Sequence, residues 1–352
     1  MLNIEVEDFL FRPQNLQVLA QVQMTAGVPY FVELIVQPHK PATITGEPII
    51  HSAKLCYLEE YSDDDDIATA VGVARTADVT IIFAGRTGEH ESEGFDALDM
   101  LLPLNQVKMI KAVAAASRRT VLVLSCGNPI DLQDVVEEVD AIVDAHFLGQ
   151  EGGSALAEIL FGEACPSGKL AVTWPKKLRD SPSYQYYPAT ETPKGWEITC
   201  GEGIGVGYRH AWKNGTVQWP FGFGLSYTTF EVSALEIVRS NPTGQLEDGE
   251  IAIEVVLTNT GKVDGAEVVQ VYVEDPASSV PRPQRELKGF SKVAVKAQSS
   301  IPVRIVIKEK YAFSFWDEVS KKWTAEAGEF RIHVGDCVGS VNLDHGFSWL
   351  GL

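Results

Sequence analysis

Between about residues 60 and 175, short apolar runs alternate with longer amphipathic ones, and this rhythm restricts the fold more than any other feature. The runs "VTIIFAG" (Val79 to Gly85), "TVLVLSC" (Thr120 to Cys126) and "AIVDAHF" (Ala141 to Phe147) read as strands. Around them, "SDDDDIATAVGVARTAD", "NQVKMIKAVAAASR", "DLQDVVEEV" and "GGSALAEILFG" carry apolar residues at helical spacing. Ser62 or an aspartate can cap the first helix, and acids in its first turn suit the helix dipole. That is a simpler reading of Asp63 to Asp66 than a calcium site. Short apolar strands alternating with helices predict a parallel sheet covered on both faces. Ligands of such sheets bind at the carboxyl ends of the strands.

One of those ends carries an unusual loop. "GEHESEGFDALDM" (Gly88 to Met100) follows "VTIIFAG" with only Arg86 and Thr87 between. It places Glu89, Glu91, Glu93, Asp96 and Asp99 close together, although like charges repel. Either water dilutes them on a solvated face, or the chemistry requires carboxylates.

The flanking regions differ in character. Residues 1 to 50 read as β structure, with two strand-like runs in "LQVLAQVQMTAGVPYFVELIV". The strip from about 176 to 229 is irregular and rich in Pro, Gly and aromatics. From about 230, "IAIEVVLTNTG", "GAEVVQVYVED", "SIPVRIVIK" and "GEFRIHVG" suit an immunoglobulin-like sandwich. The expected fold class is α/β plus all-β, with a short β remnant at the N-terminus.

The chain has 352 residues and a formal net charge of −19, which argues against a nucleic-acid partner. No apolar run reaches the length of a membrane span, and "MLNIEVEDFLF" lacks a signal-peptide pattern. The five cysteines (Cys56, Cys126, Cys165, Cys200 and Cys337) form neither a C-x-x-C pair nor a disulfide framework. His90 and His146 lack metal-ligand spacing, so no metal and no cofactor is expected. Asn214 heads a glycosylation sequon of a kind that also arises by chance.

Seven segments in order resemble glycoside hydrolase family 3, the β-glucosidase family. They are "ESEGFDALDMLLP", "GQEGGSALAEILFGEACPSGKLAVTWP", "GIGVGYRHAW", "FGFGLSYTTFE", "LTNTGKVDGAEVVQVYV", "RPQRELKGF" and "AGEFRIHVG". The resemblance implies a tail of a PA14-like domain at 1–50, an α/β sandwich at 51–229 and a fibronectin-III-like domain at 230–352. It also implies an N-terminal (β/α)8 barrel bearing an aspartate nucleophile, to which no aspartate here corresponds. On this reading the chain is the C-terminal part of a longer enzyme or a truncated gene product.

Retaining glycosidases use two carboxyl groups, one protonating the leaving oxygen and one attacking the anomeric carbon. By the resemblance, Glu93 matches the family's acid/base. Glu91 is the runner-up and Asp96 a supporting neighbour, since nearby carboxylates help one group keep its proton. Glu89 and Asp99 are expected to face solvent or cap local backbone. The family usually has arginine at the position of Ala97, which leaves the loop with one fewer anchor. Tyr208 and Arg209 are expected to brace a loop. Trp174, Trp219, Phe221 and Phe223 are expected to pack between domains rather than stack on sugar. The implied substrate is a β-glucoside or oligosaccharide, with secretion implied by the family and a cytoplasmic location as the alternative. A homo-oligomer is compatible with the sequence. Two non-enzymatic readings stand beside this one: a carbohydrate-binding or interaction module left by truncation, and a structural β-sandwich partner.

Overall fold

The computed structural model describes residues 22–25, 27–31, 62–88, 90–92, 97–240 and 249–349. The chain divides into two compact units, residues 1–98, 103–124 and 135–143 against residues 99–102, 125–134 and 144–352. The expected strands of residues 16–36 lie largely outside the described residues. Within them Val28 N–H donates to Thr25 O, closing a turn.

The first unit holds helix α1 (Asp63–Ala74), strand β1 (Thr80–Gly85), helix α2 (Leu104–Ala116) and most of strands β2 (Thr120–Ser125) and β3 (Ala141–Asp144). Helix α1 starts where expected. The Ser62 hydroxyl accepts from the Asp65 N–H at 3.3 Å, and four aspartates occupy the first turn, at the positive end of the helix dipole. Helices α1 and α2 pack together and are tied by a Lys108–Asp64 ion pair. The strands form a sheet ordered β1-β2-β3.

Central β2 is buried through Thr120, Leu122, Val123 and Leu124. Strand β1, at the edge of this sheet among the described residues, departs from the expected two-sided cover. Ile82 and Ala84 face the core, but Phe83 between them is 63% exposed. Successive side chains on a strand point to opposite faces, so an apolar run at a sheet edge need not be buried twice.

The segment 131–139, expected as a helix, forms turns instead. The Asp131 carboxylate accepts the Gln133 N–H, and the Asp131 N–H donates to Met100 O. Trp174 Nε1–H takes the carbonyl of Ile130 at 2.7 Å. These bonds offer the backbone an alternative to the helical ladder, and they let Ile130, Leu132 and Val135 all bury.

The second unit begins its regular structure with α3 (Gly152–Phe161), ended by Gly162 at φ 77°, a left-handed cap suited to glycine. Strand β4 (Trp174–Pro175) precedes the irregular strip, which holds three further short strands: β5 (Thr190–Thr192), β6 (Gly195–Glu197) and β7 (Val217–Trp219). They pair as β4 with β7 and β5 with β6.

The sandwich follows, with β8 (Phe230–Arg239), β9 (Glu250–Asn259), β10 (Gly265–Glu274), β11 (Glu286–Val295), β12 (Ser300–Lys308), a short α4 (Glu309–Phe313), β13 (Phe315–Asp317), β14 (Lys322–Ala325), β15 (Gly328–Val334), β16 (Cys337–Leu343) and β17 (Phe347–Trp349). One sheet is ordered β11-β10-β15-β16, the other β12-β9-β8, and a small third β13-β14-β17. In these two main sheets β11 pairs with β10, β10 with β15, β15 with β16, β12 with β9 and β9 with β8, all antiparallel. Alternate residues of β9 and β10, including Ile253, Leu257, Val271 and Val273, enter a shared core with Phe313, Phe330 and Ile332. Each such side chain contributes about 1.5–3 kcal/mol by leaving water.

Buried Asn259 closes one end of the sandwich. Its amide donates to Val263 O at 2.8 Å and Val295 O at 3.0 Å, while its oxygen accepts from Thr228 Oγ1 and the Gly261 N–H. This accounts physically for the "LTNTG" stretch. A buried amide must be satisfied, and here it joins three connections.

Candidate active site

The acidic loop leaves the end of β1 from a fixed point. Gly85 N–H donates to Gln106 Oε1 at 2.9 Å, and Gln106 Nε2 donates back to Gly85 O at 3.0 Å. This two-bond clamp joins β1 to the first turn of α2. Beyond it the chain turns tightly, with Thr87 O accepting from both His90 N–H (2.9 Å) and Glu91 N–H (3.0 Å).

Arg86 and Glu91 stand on either side of that turn. Their Nη1 and Oε1 atoms are 3.8 Å apart, and the side chains are 3% and 5% exposed. Of the three carboxylates assigned to the site, Glu91 is therefore placed, buried against a guanidinium. Glu93 and Asp96 lie outside the described residues, as does Glu89. Asp99 caps local backbone as expected, its Oδ1 accepting the Leu101 N–H at 2.9 Å. Sequence reasoning passed over Arg86 and Gln106. The available signal for Arg86 was its isolation, since it is the only Lys or Arg between Arg75 and Lys108.

In the second unit, Asp144 at the end of β3 pairs with His146, Oδ2 to Nε2 at 3.4 Å. Burial pushes the Asp144 carboxyl above its ordinary range, against the opposing effects of the His146 charge and N–H. His146 adopts φ 51° and its carbonyl accepts from Ser125 Oγ at 3.1 Å.

Tyr208 and Arg209 brace their loop as expected. The Tyr208 hydroxyl accepts the Leu287 N–H at 3.0 Å, and its ring stacks on Phe221 at 4.4 Å. Arg209 reaches Glu286 at 3.4 Å, and that carboxylate also meets Arg282 at 3.1 Å and Lys288 at 3.3 Å. Trp174 meets Trp219 edge to face at 5.5 Å, and Trp219 stacks with Phe223 at 6.3 Å. Trp174 is thus committed to packing, with its indole N–H already bonded to Ile130. Cys126, Cys165, Cys200 and Cys337 are all thiols.

Residues 13–227 match the glycosyl hydrolase family 3 C-terminal domain, and residues 267–337 match a fibronectin type III-like domain. The chain belongs to glycosyl hydrolase family 3.

Its relatives agree. It is 41% identical over 293 residues to a probable beta-glucosidase I of Aspergillus clavatus, covering 81% of this chain and 34% of that protein. It is 40% identical over 288 residues to the thermostable beta-glucosidase B of Acetivibrio thermocellus, covering 80% and 37%. An exo-alpha-(1->6)-L-arabinopyranosidase of Bifidobacterium breve is also 40% identical, over 267 residues, covering 76% and 34%. The crystal structure of a Kluyveromyces marxianus beta-glucosidase in complex with glucose superposes with a TM-score of 0.76 at 36% identity, covering 84% of this chain and 35% of that one. The chain thus spans about a third of the length of the relatives it matches.

Proposed function

We propose that this chain is the acid/base-bearing part of a retaining β-glucosidase that releases terminal β-D-glucosyl residues. Glu93 serves as proton donor and then as base, with Asp96 beside it. The nucleophile belongs to a (β/α)8 barrel, so residues 1–352 by themselves do not turn over substrate. Residues 1–50 read as the end of a PA14-like insert. The observation that carries the proposal is the Gly85–Gln106 clamp at the end of β1, directly before the acidic stretch of the sequence, in a chain of this family.

The chemistry follows from two carboxyl groups. Protonating the leaving oxygen lets the glycosidic bond break as the barrel aspartate attacks the anomeric carbon. The same glutamate, now ionised, takes a proton from the water that hydrolyses the glycosyl-enzyme.

The test is a chimera in which this chain replaces the matching part of the Acetivibrio thermocellus enzyme. It should cleave aryl β-glucosides, while the 352-residue chain alone should not. A panel that includes aryl α-L-arabinopyranosides fixes the sugar. Activity of the isolated chain, or a folded but inactive chimera, would count against the proposal.

A further inference from the structure

We propose that the cavity lined by the 224–230 segment and strand β10 binds a small amphipathic carboxylate, of the size and character of an aromatic acid, with Arg285 holding the carboxylate group. The inference goes beyond the acid/base reading and does not depend on it.

The stretch "FGFGLSYTTF" belongs to the irregular strip that the sequence sets apart. It is tied down at its start. Gly222 N–H donates to Leu170 O, and Phe223 O accepts the Leu170 N–H, both at 2.8 Å. Gly222 O accepts from Gln270 Nε2 at 3.2 Å, and Gly224 O accepts from Lys169 Nζ at 2.7 Å. Gly222 has φ 80°, and a Cβ there would stand 2.4 Å from Gln270 Oε1, so only glycine lets the segment approach β10 this closely. Further along, Thr228 is fixed by its hydroxyl on Asn259. Beside this pinned segment lies a cavity of about 470 Å³, lined also by β10, the start of β8 and the end of β15. That volume falls in the range of small-molecule sites, about 300–1,000 Å³. Because the walls are already tied together, a ligand need not order them on binding.

The lining selects the ligand. It is mainly apolar, with Phe230, Val232 and Val268 among the walls. Its polar groups are largely in use. Gln270 Oε1 accepts from the Tyr272 hydroxyl at 2.6 Å, His333 Nε2 meets Glu274 at 2.7 Å, and Glu267 meets Lys169 at 2.8 Å. Such a lining offers few partners to the many hydroxyls of a neutral sugar. One group is left over. Arg285 lines the cavity and is exposed, and its guanidinium makes no hydrogen bond or ion pair among the described residues. By contrast Arg282, three residues earlier, is spent on Asp275 and Glu286, both at 3.1 Å. With the lining carboxylate of Glu267 already matched by a lysine, Arg285 is an uncompensated positive charge beside an apolar hollow, in a chain of net charge −19. The planar fork of a guanidinium fits a carboxylate by two parallel hydrogen bonds. The apolar walls fit a ring.

The experiment titrates the 352-residue chain with 4-hydroxycinnamate and, separately, with its methyl ester, read by calorimetry and by saturation transfer from protein to ligand. The acid should bind with a Kd of about 1 mM or tighter, the strength expected of so small a ligand. The ester should bind at least about 10-fold more weakly, having lost the charge-assisted bonds. Arg285→Ala should weaken the acid about 10–100-fold and leave the ester unchanged. Arg285→Lys should fall between, because it keeps the charge without the fork. Val268→Phe, which fills the hollow and spares Arg285, should weaken acid and ester alike. If Val268→Phe fails to fold, the two Arg285 variants and the ester still decide the matter, since Arg285 is exposed.

Equal affinity for acid and ester, or an unchanged acid Kd in Arg285→Ala, would overturn the proposal. So would an unchanged acid Kd in folded Val268→Phe, which would reduce the binding to ion pairing at the surface. Displacement of the acid by an equal concentration of glucose would overturn it in favour of a neutral sugar site.

Discussion

Replacing Glu286 by Gln tests how the loop of Tyr208 and Arg209 is held to the sandwich. Glu286 faces Arg209, Arg282 and Lys288 at 3.1–3.4 Å. Without its charge, Arg282 keeps Asp275 at 3.1 Å, but Lys288 and Arg209 lose this carboxylate. Removing one member of a buried pair costs about 3–5 kcal/mol. Here the carboxylate is 18% exposed and Arg209 is 45% exposed, so solvent screens part of that loss. An expected cost of about 2–3 kcal/mol follows, or a fall in Tm of about 5–10 °C for a unit of this size.

The pH dependence has a definite sign. Burial raises the Glu286 pKa, but Lys288 and Arg282 together outweigh it and hold the group below the ordinary carboxylate range. A depressed folded-state pKa gives stability that is complete above the unfolded value, about 4.3, and is lost as pH falls through the folded one. Thermal unfolding of the chain by circular dichroism from pH 3 to 7 reads both effects. The wild type should lead Glu286→Gln by the full margin at pH 7, and the gap should shrink below about pH 4.3. A margin under 2 °C at neutral pH, or one that does not change on acidification, would refute the reasoning.

Three further outcomes concern the sandwich. Arg239→Met should cost about 3–5 kcal/mol in urea unfolding, because it strands Glu309, which is 1% exposed and held at 2.8 and 3.0 Å. Asn259→Ala should cost about 2–4 kcal/mol by leaving the carbonyls of Val263 and Val295 without their donor. Burial, with Tyr208 adding to it and Arg285 opposing, pushes Tyr272 up to about 12. Its contribution to stability should therefore be full below about pH 10 and lost above it, and Tyr272→Phe should flatten that alkaline loss in a thermal series.

Local rules made much of the fold legible. Ser62 and the four aspartates mark the start of α1, and periodicity located α2, α3 and the sandwich strands β9, β10, β12 and β15. The segment 131–139 has helical composition, but hydrogen bonds from Asp131 and Trp174 override it. Those partners are remote or conformational, and a propensity cannot register them. Phe83 illustrates a second limit: an apolar run tells that a strand exists, but not whether it lies at the centre or the edge of its sheet. At the candidate site, the cluster of acids was visible in the sequence. The burial of Glu91 was not, because the Arg86–Glu91 contact depends on a turn closed by backbone N–H groups rather than by any residue motif.

The most direct measurement is leaving-group dependence in the Glu93→Gln chimera, with and without azide. Removing the proton donor should spare aryl glucosides with acidic leaving groups in the first step and slow cellobiose most. Azide should restore turnover of the aryl substrates by replacing water in the second step. Equal losses on both substrate types with no azide effect, or no loss at all, would contradict the assignment of Glu93 as acid/base.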